Sequence, residues 1–315
     1  MTTRSIAVLG SGSIGVAFTV LFASGGAEVR LWDPIPEARD RARTELRARL
    51  ELLHSSGLLR DSPETVFDRV TFPGEVTEAV AGVALVQECA PERLDLKREL
   101  FSSIADAVSD DAVLASSSSA IVPSLIAEGL RRADQVIVGH PGNPPYLIPV
   151  IEVVPTEATR PEVVDAALDL YRGAGLDPIL VRKEAEGFVF NRLQGAILRE
   201  AYCLVRDGVA SVEDIDTVMR QGLGRRWAFI GPFETVDLNT RGGIASHAEK
   251  MGPAYARMGA ERGQDDPWTP ELVADVARQR REVLPEADWQ SRVEWRDRQL
   301  LEFRKTFDAP EPDAR

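Results

Sequence analysis

At 315 residues the chain is too long for one ordinary domain and long enough for two, each with its own core. Its composition, 44% hydrophobic and 28% charged, is that of a globular protein, and a formal net charge of -13 sets it against a phosphate backbone and so against nucleic-acid partners. The two cysteines, Cys89 and Cys203, show neither metal-ligand spacing nor a disulfide framework, which predicts a reducing cytoplasmic setting and no metal.

From Ser5 to Ala27 there is no charge, and Arg4 precedes the run, so a signal peptide or membrane span has to be weighed first. Gly10, Gly12, Gly15, Gly25 and Gly26 interrupt it, which suits no continuous apolar helix. It parses instead as a buried strand Ser5–Leu9, a glycine turn and a buried helix Ser13–Ser24, with no membrane partner expected. Further strands are predicted at Glu28–Trp32, Ala84–Glu88, Val113–Ala115, Val136–Gly139, Val150–Val154 and Asp177–Val181. Several are continuous and β-branched, as in strands covered on both faces. Helical patterns lie between them, including Ile35–Leu53 and Leu94–Val108. The alternation predicts an α/β, doubly wound Rossmann-type domain over residues 1–185.

Strand signals stop near Gly187. Phe188–Asp207, Val212–Gln221, Gly242–Met258, Pro270–Val283 and Trp289–Phe307 have helical patterns, so residues 186–315 are expected to form an all-helical domain. Ser211 with Asp214 makes a capping-box-like start, Gly208 a C-cap, and Ala309–Arg315 a frayed tail.

The turn Gly10-Ser11-Gly12-Ser13-Ile14-Gly15 matches the G-x-G-x-x-G fingerprint, with a strand before it and a helix after it. Gly10 allows the tight turn, Gly12 lets the backbone approach a pyrophosphate, and Gly15 lets the helix pack on the strand. The unpaired N–H groups of that helix start supply the anion affinity that the net charge does not. The next strand runs into Asp33, at about the twenty-residue spacing expected for the ribose-binding acid. No arginine follows immediately, so the predicted cofactor is NAD rather than NADP.

There are three histidines. His54 ends a charged helix and His247 lies in an Ala/Glu/Lys-rich stretch, and both are expected to face solvent. His140 ends an apolar strand and opens His140-Pro141-Gly142-Asn143-Pro144-Pro145. Ligands of open α/β sheets bind beyond strand carboxyl ends, so His140 is either a structural histidine or an acid/base. Glu152 lies inside the apolar run Val150–Val154, where an unpaired carboxylate is costly. It is either an edge-strand glutamate facing water or the partner that steadies His140.

Taken together, these segments resemble the 3-hydroxyacyl-CoA dehydrogenase superfamily, most closely its lambda-crystallin / L-gulonate 3-dehydrogenase branch. The motifs are the nucleotide turn, Gln87-Glu88-Cys89-Ala90-Pro91-Glu92 with Lys97, the serine run Ser116–Ser119, the His140 loop, Glu152, Glu186–Leu193, and Gly222–Glu234. The resemblance implies a catalytic set of His140, Glu152, Ser119 and Asn191. It implies Glu92 and Lys97 near the nicotinamide ribose, with Ser119 and Asn143 also in the cofactor-binding set. It also implies a homodimer built through the helical domain. Without it, Ser119 would be a small-residue strand end and Asn191 a helix-start cap.

Oxidation of a carbinol needs a base for the hydroxyl proton, the role expected of neutral His140, with Ser119 and Asn191 orienting the substrate. The segment Gly224–Gly231 is longer than the turn of the acyl-CoA enzymes and resembles the gulonate branch, which implies Arg226 as a bidentate clamp for the carboxylate of a small anionic substrate. A 3-hydroxyacyl-CoA is the next expectation, with Arg41, Arg43, Arg47 and Arg49 available for its phosphates. Carnitine follows, with Trp227 or Tyr146 facing its ammonium. A crystallin-like structural or NAD-sensing role is the non-enzymatic alternative.

Overall fold

The computed structural model describes residues 4–228, 231–239 and 243–263, and short pieces between 271 and 306. The predicted helices Pro270–Val283 and Trp289–Phe307 fall largely outside the described residues, and Gly242, Phe229, Ile230 and Ala309–Arg315 do so entirely. The chain forms two compact units, residues 1–192 with 296–315, and residues 193–295.

In the first unit, β1 (Ser5–Leu9), α1 (Ser13–Ser24), β2 (Glu28–Trp32) and α2 (Pro36–Ser55) follow the predicted pattern. Short helices α3 (Pro63–Phe67) and α4 (Val76–Val80) flank a two-residue strand β3 (Val70–Thr71) that the sequence pattern does not announce. Then come β4 (Leu85–Glu88), α5 (Leu94–Ile104), β5 (Val113–Ser116), α6 (Pro123–Ala127), β6 (Val136–Pro141), β7 (Val150–Pro155), α7 (Pro161–Gly173) and β8 (Asp177–Leu180). One eight-stranded sheet results, in the order β3-β2-β1-β4-β5-β6-β7-β8. The order reverses beside β1, which pairs in parallel with both β2 and β4 and so opens a crevice at their carboxyl ends.

The sheet departs from a purely parallel one at β7, which runs antiparallel to β6. The connection, residues 142–149, is too short for a crossover helix, so the chain turns straight back. This hairpin sets His140 directly opposite Glu152.

Two apolar clusters cover the two sheet faces. Helix α1 is buried over Gly15–Ala23, which explains its uniformly apolar sequence. Phe18, Phe22 and Tyr171 stack in series, with ring centroids 5.5 and 6.4 Å apart. No helix among the described residues is long and apolar enough to cross a membrane.

The division expected at 185/186 falls before the end of the first compact unit. Phe188 is buried in the core of the sheet, and Leu301, from beyond the second unit, is buried in the opposite cluster. The second unit is helical: most of α8 (Phe190–Arg206), then α9 (Val212–Val218), α10 (Gly224–Trp227), α11 (Pro232–Asn239) and α12 (Gly243–Arg262). Ser211 caps α9 by accepting the Asp214 N–H at 3.1 Å, as its pattern predicts. Helix α8 starts two residues later than predicted, because Gly187 and Phe188 hold φ of +76° and +49°.

Candidate active site

The carboxyl ends of β1, β2, β4, β5 and β6 each deliver a predicted site residue to one edge of the sheet. Gly10 follows β1 with φ +104°, and a Cβ there would stand 2.7 Å from the Cys89 carbonyl oxygen. A Cβ on Gly15 would lie 1.8 Å from the Gly10 carbonyl oxygen, so the turn closes only with glycine at both places. Over Gly12 the space is open, and the α1 N-terminus carries no side-chain cap and no acid in its first turn. Those backbone donors are left for an anion.

Asp33, just past β2, accepts the Ser11 N–H and Ser11 hydroxyl on Oδ2, both at 2.9 Å, and the Ile35 N–H on Oδ1 at 3.0 Å. An ionised carboxylate has about four acceptor positions, so capacity remains for ribose hydroxyls. Ser13, at the helix start, is held by Arg49, whose guanidinium donates to its carbonyl at 3.1 Å and its hydroxyl at 3.0 Å. The donor set, the acid and the open glycine fit a dinucleotide.

At the end of β6, His140 is 6% exposed and Glu152 1%. The imidazole Nδ1 lies 2.6 Å from Glu152 Oε2. Glu152 Oε1 accepts the backbone N–H groups of Val189 at 2.7 Å and Phe190 at 3.0 Å, so one buried carboxylate serves the ring and the first donors of α8. Phe188 and Phe190 wall the imidazole, with centroids 5.6 and 6.2 Å from it. Nδ1 carries the ring's one hydrogen bond to a described residue, and Nε2 is left free.

Ser119 follows β5 on an exposed turn, and Asn191, in the first turn of α8, donates from Nδ2 to its carbonyl at 3.0 Å. Asn143 is exposed in the His140 loop. Glu92 takes three donors on Oε1: the Ser118 hydroxyl at 2.6 Å and the N–H groups of Ser119 at 2.9 Å and Ala120 at 3.1 Å. Burial pushes its carboxyl up, yet the Ser118 hydroxyl, the Ala120 N–H and Lys97 together hold it below the usual range. The Lys97 ammonium is turned inward, 2.9 and 3.0 Å from the Glu88 oxygens. Burial raises the Glu88 carboxyl against the pull of Lys97.

Arg226 lies in the second unit on α10, exposed and without an ion pair among the described residues. The first part of the segment Gly224–Gly231, residues Gly224–Trp227, is helical, continuing from α9 through Met219–Leu223. His54 is exposed as expected, but His247 is not simply solvent-facing: it is half-buried, with Tyr255 at 6.0 Å between ring centroids. Of the α2 arginines, Arg43 stacks on Phe72 at 4.3 Å and Arg47 on Phe67 at 4.2 Å. Tyr146 is buried and Trp227 half-buried. A recess of about 650 Å³ lined by Ser124, Glu128, Thr156, Arg182 and Glu184 lies toward the opposite end of β6 and contains none of these residues.

Sequence reasoning named Gln87, Glu88, Phe188 and Phe190 only within motifs of the resemblance and gave none of them a place at this edge. Gln87 and Glu88 had a detectable signal, two polar residues closing an apolar strand.

Residues 5–185 match the model of the 3-hydroxyacyl-CoA dehydrogenase NAD binding domain, and residues 187–282 match that of the 3-hydroxyacyl-CoA dehydrogenase C-terminal domain. The chain is similar to lambda-crystallin of Oryctolagus cuniculus, 40% identical over 305 residues that cover 95% of each chain. It is also similar to an L-carnitine dehydrogenase of Pseudomonas putida, 38% identical over 86% of this chain and 82% of that one. Among solved structures it resembles 5-formyl-3-hydroxy-2-methylpyridine 4-carboxylic acid 5-dehydrogenase, an NAD+ dependent dismutase, with a TM-score of 0.83, 29% identity, and coverage of 98% of this chain and 100% of that one. The chain belongs to the 3-hydroxyacyl-CoA dehydrogenase family, an oxidoreductase with an NAD-binding Rossmann-type domain followed by the family's helical C-terminal domain.

Proposed function

We propose that this protein oxidises the 3-hydroxyl of a small free 3-hydroxy acid, L-gulonate-like, to the 3-keto acid. The observation that carries the reading is the buried His140–Glu152 contact of 2.6 Å at the cofactor edge, with Nε2 making no hydrogen bond to a described residue. A carboxylate at Nδ1 selects the tautomer with its proton on that nitrogen, which leaves the Nε2 lone pair as the acceptor. Nε2 takes the hydroxyl proton, and Glu152 offsets the charge of the imidazolium that forms. NAD, when bound, accepts the hydride from the carbinol carbon. Ser119 and Asn191, joined through the Ser119 carbonyl, hold the reacting oxygen and its neighbours in line. Glu92 and Asn143 face the nicotinamide end of the cofactor.

Arg226 is assigned to the substrate carboxylate, where a guanidinium without an acidic partner among the described residues can bind two oxygens at once. The likeness to L-carnitine dehydrogenases favours carnitine as a second substrate, with Trp227 offering an aromatic face. A 3-hydroxyacyl-CoA ranks below both, because Arg43 and Arg47 are engaged by phenylalanines and Arg49 by Ser13.

The test is NAD reduction with L-gulonate, carnitine, 3-hydroxybutyrate and 3-hydroxybutyryl-CoA. His140→Ala should abolish turnover and keep NAD affinity; Arg226→Ala should raise KM for the free acid with little effect on NAD. Turnover of the CoA ester alone refutes the carboxylate clamp. No turnover of any substrate leaves a crystallin-like or NAD-sensing role. A homodimer through the helical unit accounts for its exposed Val218, Phe233 and Met258. Sedimentation as a single 34.5 kDa chain would refute that assembly.

A further inference from the structure

No arginine directly follows Asp33 in the chain, but α2 brings one back to it. Arg39, in the first turn of α2, donates from its guanidinium to the Asp33 carbonyl. It is half-buried and forms no ion pair among the described residues, although Glu37 and Asp40 stand on the same helix. Asp40 lies instead 4.0 Å from Arg43. A guanidinium has several N–H donors, so one carbonyl leaves most of them for a ligand. The carbonyl and the carboxylate of one aspartate stand within about 5 Å of each other, so this cation is a neighbour of the ribose acid.

The Asp33 carboxylate sits among converging donors. Oδ2 takes the N–H and the hydroxyl of Ser11, both at 2.9 Å, and Oδ1 takes the N–H of Ile35 at 3.0 Å. Ser11 is 8% exposed, so its hydroxyl is spent inside the fold on this one acid. Backbone N–H groups and a hydroxyl around one anion, with a guanidinium beside them, make the kind of cradle that proteins offer to a phosphate. Here a side chain of the protein fills that cradle. NADP differs from NAD by a phosphate on the ribose hydroxyl that such an acid accepts. That phosphate competes with the carboxylate for the same donors and is repelled by its charge.

We propose that the Asp33 carboxylate plugs a preformed phosphate site made of the Ser11 N–H and hydroxyl, the Ile35 N–H and the Arg39 guanidinium. The choice of NAD over NADP then rests on this one carboxylate. Arg39 is the specificity-determining cation, which takes the 2′-phosphate once the acid is gone and partly offsets the acid while it is there. The site belongs to the cofactor alone, so it holds whichever 3-hydroxy substrate is oxidised.

The experiment is fluorescence titration with NAD, NADP, 5′-AMP and 2′,5′-ADP, none of which needs turnover. The wild type should prefer NAD over NADP by about a hundredfold. Asp33→Ser removes the carboxylate and frees its donors. It should weaken NAD about tenfold and tighten NADP about a hundredfold, which reverses the preference. The fragment 2′,5′-ADP should gain with NADP, and 5′-AMP should not. Adding Arg39→Ala should undo the NADP gain by at least about tenfold and leave NAD within about threefold. Salt should weaken NADP more in Asp33→Ser than in the double variant. Asp33→Asn loses the charge but keeps a side chain in the place of the phosphate, so its NADP gain should be smaller. Arg39→Ala alone leaves the clamp on Ser11 intact. It should lower the weak NADP affinity of the wild type by about threefold to tenfold with NAD almost unchanged, and this arm stands even if changes at Asp33 unfold the turn. Unchanged NADP affinity in a folded Asp33→Ser, or in Arg39→Ala, would overturn the proposal. So would equal losses of NAD and NADP in Arg39→Ala, which would make Arg39 an adenosine contact. If the wild type oxidises no substrate at all, the dehydrogenase reading fails by itself, and the titrations still decide what Asp33 and Arg39 do.

Discussion

Glu152→Gln is the sharpest perturbation of the dyad, because it keeps the shape of the side chain and removes its charge. Glu152 makes three hydrogen bonds, two from the backbone at Val189 and Phe190 and one from His140 Nδ1. A glutamine has one acceptor end and one donor end. If its amide nitrogen faced the backbone, two buried N–H groups would be left unsatisfied at about 1–3 kcal/mol each. The glutamine therefore turns its oxygen to the backbone and its NH2 to the imidazole. Nδ1 must then accept, the ring proton moves to Nε2, and the nitrogen that should take the hydroxyl proton has none of its lone pair free. Loss of the charge-assisted bond to the imidazolium alone removes about 1.5–3 kcal/mol, roughly ten- to a hundredfold in rate. With the inverted tautomer the expected fall in kcat is about 10²–10⁴. NAD binding should be unchanged, and the melting temperature should drop by the few degrees that about 1–2 kcal/mol at the α8 N-terminus represents. Steady-state NADH absorbance and a fluorescence titration of NAD measure both quantities. A kcat within about threefold of wild type, with the variant folded, would refute the assignment of base and orienting acid.

Gly139→Ala probes the strand that carries His140. Its new Cβ would stand 2.2 Å from the Tyr171 hydroxyl oxygen, which donates to Gln87 Oε1 at 2.7 Å. Overpacking of this kind costs about 1–3 kcal/mol and displaces β6, so both thermal stability and kcat should fall; an unchanged melt would contradict the close approach. Adding Tyr171→Phe should recover part of the loss by removing that oxygen. Cys89 bears on pH. Burial pushes its thiol from 9.0 up to about 12. Below pH 9 both folded and unfolded thiols are neutral and contribute no pH dependence. Between about pH 9 and 12 the unfolded chain gives up the proton and the folded chain keeps it, so stability from this group falls as pH rises. Native Cys89 should resist iodoacetamide at pH 8 and react on denaturation, and rapid alkylation of the folded chain would count against this environment.

Much of the molecule was legible in the residue order, for local reasons. The glycine turn, the strand ending at Trp32 before Asp33, and the alternation of apolar strands with helices each follow from backbone sterics and side-chain periodicity within one segment. The apolar setting of Glu152 pointed to a buried partner, and the loop at His140 to a strand end. Phe188 and Lys97 show where this kind of inference stops. A lysine on an amphipathic helix has the pattern of a solvated side chain, and only acids from β4 and from the following loop make its burial tolerable. A phenylalanine after a glycine has no local signal for a left-handed backbone with its ring against an imidazole.

By itself, then, the amino-acid order determined the class of fold, the nucleotide turn and the identity of the residues available for acid–base chemistry. The tertiary structure decided which of them meet. His140 and Glu152 lie in different strands, and it is the antiparallel return of β7 that sets them opposite each other. Register is a property of paired strands, and a one-residue slip would have turned Glu152 to the other face of the sheet, away from the ring.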